Sequence, residues 1–292
     1  MNKNDVKDTF FSKNHSLNCS GKLLSLETPQ VMGVINVTPD SFHDGGNFID
    51  PSDATDQAGK LLAEGAGIID IGGISSRPGA KPVSVSEETD RLHAVVSKIR
   101  SSFPDAILSI DTYKSQVVKE MSDQYNIDIV NDITAGNGDS EMIPLISNLN
   151  IPYLIMHMQG EPSNMQDNPH YKNITDEIIQ FFSEKLNLLF KKGINDVLID
   201  PGFGFGKTRD HNYELLSHID SFRMFEIPLV AGVSRKSMIQ KLLNTNSESA
   251  LNGTTAVHML LLERGVNILR VHDASPAIEA IKIFTETRKF RK

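Results

Sequence analysis

Along most of the chain one order recurs: a short apolar run, a polar or glycine-rich corner, then an amphipathic stretch. The runs are VMGVIN (31–36), GIIDIGG (67–73), AILSID (106–111), IDIVND (127–132), IPYLIMHM (151–158), DVLID (196–200), IPLVAGVS (227–234) and VNILRVHD (266–273). They are close to continuously apolar rather than alternating, as strands buried on both faces of a parallel sheet must be. The stretches between them carry helix signals. Ser84 and Glu87 stand at capping-box spacing before a helix running toward Arg100. Thr175 to Lys192 places Ile178, Phe182, Leu186 and Leu189 on one helical face and stops at a cationic last turn followed by Gly193.

Strand–helix alternation repeated about eight times predicts an α/β protein, a single (β/α)8 TIM barrel covering residues 1–292 as one domain. An open doubly wound sheet is the alternative. It would place a glycine fingerprint after the first strand, where this chain reads NVTPDSF. The segment LNCSGKLLSLETPQ reads as a β-hairpin around Ser20-Gly21, which would close the bottom of the barrel. The first fifteen residues are polar and are expected to fray.

Composition narrows the function classes. A formal charge of −8 argues against nucleic acid and anionic lipid as partners, so an anionic substrate needs a local basic site. Cys19 is the only cysteine, which rules out an intramolecular disulfide and a cysteine-based zinc site. The N-terminus lacks the apolar segment of a secretory signal, and the apolar runs are far shorter than a bilayer span. The expectation is a cytoplasmic protein with no membrane partner.

The apolar runs end on Asn36, Gly73, Asp111, Asn131, His157, Asp200, Ser234 and His272. In a barrel these ends meet at the face where catalytic groups sit. Taken singly, a strand-end Asp or Asn commonly just caps the next helix. DPGFGFGKT only half matches a phosphate-binding P-loop, because Pro201 stands where the first glycine belongs. That leaves Asp200 as its interesting group. GVSRKS enters a helix near Ser237, and its free N–H groups with Arg235 and Lys236 suggest an anion site. Arg270 and His272, two apart on the last strand, point to one face. Arg77 lies in a loop long enough to move. The sequence has no HExxH and no dense carboxylate cluster for a protein-only metal cage.

GVINVTPDSF, GGISSRPGA, SIDTYKS, VNDITAG, MHMQG, DPGFGFGK, GVSRKS and LRVHD, in this order from Gly33 to Asp273, resemble the dihydropteroate synthase family. The resemblance implies a transferase of folate biosynthesis that joins 6-hydroxymethyl-7,8-dihydropterin pyrophosphate to p-aminobenzoate, through a dissociative displacement of pyrophosphate. It implies Asp111, Asn131, Met156, Asp200, Gly232 and Lys236 around the pterin. Asn36, Arg77, Arg270 and His272 would bind the pyrophosphate, with Asn36 also on Mg²⁺. Phe42, Ser76, Pro78, Phe205 and Ser234 would surround p-aminobenzoate, where sulfonamide inhibitors would compete. Arg77, Lys236, Arg270 and His272 would be the catalytic set. The family implies a homodimer, and the late helices (250–264 and 275–288) are the expected interface.

Two positions depart from the family pattern GGESTRPGA: Ile74 stands in place of a glutamate and Ser76 in place of a threonine. The second change keeps the hydroxyl; the first removes a charge from the loop. Two other readings compete. A related pterin-binding methyltransferase domain, working with a corrinoid protein, would need neither Arg77-Pro78 nor the SRKS segment. A pterin-binding paralogue without catalysis would show no turnover.

Overall fold

The computed structural model describes residues 16–38, 50–75, 82–161 and 164–290. Eight parallel strands, counted among these residues, form the barrel: β3 (Gln30–Asn36), β4 (Ile68–Gly72), β5 (Leu108–Asp111), β6 (Ile129–Asp132), β7 (Tyr153–Met156), β8 (Val197–Asp200), β9 (Val230–Ala231) and β10 (Ile268–Val271). They are ordered β8-β7-β6-β5-β4-β3-β10-β9, and a parallel bridge from Ile199 to Leu229 joins the two ends. This closure excludes the open sheet. Except at β3, which begins one residue before its run, the predicted runs overshoot the paired strands by one to three residues at one or both ends, where the chain already belongs to corners. The largest contraction is at β9, in which two of the eight residues 227–234 pair as a strand.

Helices alternate with the strands: α1 (Pro51–Ala63), α2 (Val85–Ser102), α3 (Ser115–Tyr125), α4 (Met142–Leu149), α5 (Ile174–Lys191), α6 (Arg209–Ser217), α7 (Ser237–Leu243), α8 (Leu251–Glu263) and α9 (Ala274–Arg288). α5 buries Ile178, Phe182, Leu186 and Leu189 as its periodicity requires. At α2 half of the expected capping box forms. Ser84 Oγ accepts from the Glu87 N–H at 3.1 Å, but the Glu87 carboxylate turns forward onto Arg91 at 2.5 Å. A reciprocal box forms instead at α6, between Thr208 and His211, where a histidine replaces the usual Glu or Gln.

The hairpin of β1 (Ser16–Cys19) and β2 (Lys22–Ser25) turns through Ser20 and Gly21, both at positive φ, as a tight two-residue turn demands. Leu17, Cys19, Leu24 and Leu26 pack against Met32, Ile68, Ile129, Leu154, Leu198, Val230 and Ile268. Those seven come from the first halves of barrel strands, so the hairpin plugs the N-terminal end. Ser20 Oγ donates to the Ile127 carbonyl at 2.8 Å, and Lys22 and Arg100 both pair with the buried Asp128. With that end stoppered, the polar strand ends gather at the opposite, C-terminal end, the mouth of the barrel. None of the described helices is long and apolar enough to cross a membrane.

Candidate active site

Asp200 ends β8 and lies almost fully buried, facing the mouth. The chain then turns through Gly202 (φ +75°), whose N–H donates to Asp200 Oδ1 at 2.7 Å. A Cβ at 202 would sit 2.0 Å from the His157 carbonyl oxygen, so this corner admits glycine alone. Burial raises the Asp200 pKa, while Lys236, the Gly202 N–H, Arg270 and Lys207 oppose that rise. The loop does not form a phosphate cradle. Gly204 N–H is spent on Asn212 Oδ1 at 2.7 Å, as Gly202 N–H is on Asp200.

Lys236 precedes α7 and reaches inward, donating to the Phe203 carbonyl and lying 4.7 Å above the Phe205 ring. Burial pushes its ammonium down to about 8, against the pull of Asp200. Gly232 sits between this lysine and Arg270: a Cβ there would lie 3.9 Å from Lys236 Nζ and 3.7 Å from Arg270 Cβ. Bare backbone at 232 therefore keeps a gap open. Met156, buried at the end of β7, stands in register beside Asp200.

Asp111, Asn131 and Arg270 meet on the other side of the mouth. The organiser is a residue that sequence reasoning passed over, Asp70. It is fully buried in β4 and accepts from Ser109 Oγ (2.6 Å), Asn131 Nδ2 (3.1 Å) and Arg270 Nε (2.7 Å). Arg270 also donates to Asp111 Oδ2 at 2.6 Å. Burial pushes Asp111 up to about 7; Arg270 opposes this, and Asp70, Glu88 and Asp132 add to it. Burial works against the Arg270 charge, but Asp70 and Asp111 outweigh it and raise its proton affinity. A signal for Asp70 did exist: one carboxylate inside the apolar run GIIDIGG has to find a partner.

Asn36 ends β3 opposite Gly72, and a Cβ on Gly72 would lie 3.7 Å from both Asn36 Oδ1 and Asp111 Oδ2. Both groups thus border one gap. His272 Nδ1 is 3.2 Å from Ser234 Oγ. The crowded mouth, and then the Arg270 charge, push this ring down to about 4 although the side chain reaches solvent.

One expectation needs correction. Arg235 is not a free cation at the start of α7. It turns away through a left-handed backbone (φ +55°) and forks onto Asp273 at 2.7 and 2.9 Å, with its remaining donors on the Ser247 and Glu248 carbonyls. That bidentate fit satisfies the guanidinium inside the fold. Of the SRKS cations, Lys236 alone faces the mouth. Phe42, Ser76, Arg77 and Pro78 lie outside the described residues. The flanks of the second of those loops are held: Arg91 donates to the Gly73 carbonyl at 2.9 Å, and Lys114 pairs with the buried Glu88 at 2.8 Å. Among the described residues no group of three His, Cys, Asp or Glu is placed to hold a metal ion.

The mouth therefore brings together buried carboxylates, an ammonium, an amide and a guanidinium beside bare glycine backbone at 72 and 232. That suits a flat heterocycle with a polar edge, next to an anionic group. The comparisons agree. The family model described as pterin binding enzyme matches residues 32–272. The dihydropteroate synthase of Haemophilus influenzae is 39% identical over 273 residues, 93% of this chain and 98% of that protein. The Yersinia pestis dihydropteroate synthase, solved in a sulfonamide drug complex, superposes with a TM-score of 0.89 at 41% identity, covering 94% of this chain and 99% of that one. The Xanthomonas albilineans enzyme with 4-aminobenzoic acid superposes at 0.88 with 35% identity, covering 96% and 100%.

Proposed function

This chain belongs to the dihydropteroate synthases of the pterin binding enzyme family, and on that premise we propose how its barrel mouth joins 6-hydroxymethyl-7,8-dihydropterin pyrophosphate to p-aminobenzoate. The observation that carries the reading is the buried Asp200 carboxylate beside Lys236 and Arg270, with Arg270 tied to Asp111 directly and to Asn131 through Asp70. The amino-pyrimidinone edge of a pterin presents two N–H donors side by side, and an ionised carboxylate accepts both. Lys236 donates to the ring oxygen and N5, Asn131 and Asp111 take the remaining ring edge, and Met156 and Gly232 line the ring faces.

The pyrophosphate lies toward Asn36, Arg270 and His272, with Arg77 from the loop beyond. His272 serves there as an N–H donor. Asn36 fits Mg²⁺ of the kind carried by a phosphate ligand, which takes one or two protein oxygens and fills its other positions with phosphate and water. When bound, the ion takes up charge growing on the leaving group. The displacement is dissociative. The bond between the methylene carbon and the bridging oxygen breaks with both electrons going to pyrophosphate, and the ring system spreads the resulting positive charge. The amine lone pair of p-aminobenzoate then forms the C–N bond and its nitrogen gives a proton to water. The Asp200 carboxylate stabilises the cationic ring by its charge. No covalent enzyme intermediate is required.

Phe205 and Ser234, with Phe42, Ser76 and Pro78, form the p-aminobenzoate side, where sulfonamides compete. The protein works in the cytoplasm as a homodimer. Leu260 on α8 and Ile283 on α9, both exposed, support an interface on these late helices. The test is pyrophosphate release from the dihydropterin substrate in the presence of Mg²⁺. Release that depends on p-aminobenzoate supports the reading, and its absence with both substrates present contradicts it.

A further inference from the structure

Lys207 is 3% exposed. Its nitrogen donates to the Phe205 carbonyl at 3.0 Å, lies 3.1 Å from His157 Nδ1 and 3.4 Å from the His157 carbonyl. No carboxylate pairs with it within salt-bridge distance among the described residues. A methionine or leucine would fill the same space without that desolvation. The cost shows in its proton affinity: burial pushes Lys207 down to about 7, with Asp200 opposing and Lys236 adding to the shift. Its partner ring is held in turn, edge-on to Phe181 with centroids 5.0 Å apart, and burial followed by the Lys207 charge keeps it neutral, down to about 2. A neutral imidazole keeps one nitrogen bare, and with the Lys207 ammonium donating to it at 3.1 Å that nitrogen is Nδ1.

The location of this link matters. The corner after β8 and the corner after β7 touch through bare backbone, since Cβ atoms on Gly202 and Gly206 would collide with the His157 and Gln159 carbonyl oxygens at 2.0 and 2.4 Å. Tyr171 and Gln166 tie the outer side of the β8 corner through the Gly206 and Gly204 carbonyls. Lys207 reaches back under Phe205 to the residue that follows Met156. We propose that Lys207 is a positioning residue for the pterin pocket: its buried nitrogen ties the Phe205 carbonyl to His157 and so fixes the loop bearing Asp200 and Phe205 against the strand end bearing Met156.

This rests on the pterin reading of the mouth, so the test has one arm that does not. Amide hydrogen exchange reads the tether itself. In Lys207→Met the Gly202 and Phe205 N–H groups should exchange faster, with α8 and α9 unchanged. The second arm is calorimetric binding of 6-hydroxymethylpterin to folded protein. Lys207→Met should bind it at least about 10-fold more weakly, the loss of one well-placed polar link. Lys207→Gln, whose amide can still donate to Phe205, should recover to within about threefold of the original protein. His157→Phe removes the acceptor nitrogen while keeping the ring volume; it should weaken binding at least about fivefold and decides the matter should Lys207→Met not fold. Unchanged exchange at Gly202 and Phe205, or affinity within about twofold in Lys207→Met or His157→Phe, overturns the proposal. Lys207→Gln no better than Lys207→Met overturns the tether as its cause. Failure of the unsubstituted protein to bind the probe, with the exchange result intact, sinks the pterin reading and leaves the tether standing.

Discussion

Replacing Asp200 by asparagine should abolish pterin binding without harming the fold. Oδ1 of Asp200 is committed to the Gly202 N–H at 2.7 Å. An asparagine keeps that bond only with its oxygen in the same place, which turns its NH2 toward the gap. One ring donor of the pterin then meets a donor, and the charge that strengthened both bonds is gone. Charge-assisted bonds contribute about 1.5–3 kcal/mol each, so the loss of two is roughly 3–6 kcal/mol, or about 10²–10⁴-fold in Kd. Stability moves the other way. The Asp200 pKa is raised in the folded state, so the fold holds a proton that the unfolded chain has already released. Between the unfolded and folded values stability falls as pH rises, and above both the fold carries the full cost of the buried charge. The asparagine variant should therefore unfold at the same temperature or higher at neutral pH. Calorimetry with 6-hydroxymethylpterin alongside thermal unfolding measures both effects. A folded variant that binds within about threefold of the original would show that Asp200 is not the acceptor.

Gly232→Val should leave the fold intact, because Gly232 has no positive φ and a Cβ meets only ordinary contacts. Its branched side chain would nevertheless fill the gap between Arg270 and Lys236 and lower pterin affinity at least about 10-fold; unchanged affinity would place the ring elsewhere. Asp111, raised to about 7 by burial first, keeps its proton in the folded state above the ordinary carboxylate value. Its contribution therefore costs stability progressively as pH rises from about 4 to about 7. Asp111→Asn lacks that loss, so urea midpoints at pH 5 and pH 8 should show the variant gaining on the original protein as pH rises. A constant difference would mean that Asp111 stays ionised throughout, held by Arg270.

The barrel was legible because its determinants are local. Continuous apolar runs separated by amphipathic stretches require buried parallel strands, and LNCSGKLLS carries its own turn at Ser20-Gly21. The strand ends also named most of the mouth, since a barrel delivers them all to one face. What stayed hidden depends on side chains far apart in the chain. Asp70 meets Arg270 across 200 positions, and Asp111 meets it across 159. Nothing near Asp70 in sequence says which arginine it holds. Arg235 beside Lys236 looks like a pair of equivalent cations, yet a single left-handed residue sends the first outward to Asp273 and leaves the second facing the mouth. Lys207 read as the tail of a failed phosphate loop, and its burial against His157 emerges only once the β7 and β8 corners are stacked.

Condensation of a dihydropterin pyrophosphate with p-aminobenzoate at the mouth that holds Asp200 and Lys236 can be followed directly. The direct measurement is product formation by the protein and its Asp200→Asn variant, side by side, with both substrates and Mg²⁺, reading 7,8-dihydropteroate by mass. Product is expected with the first and a loss of at least about 100-fold with the second. No product from either, or equal product from both, would contradict it.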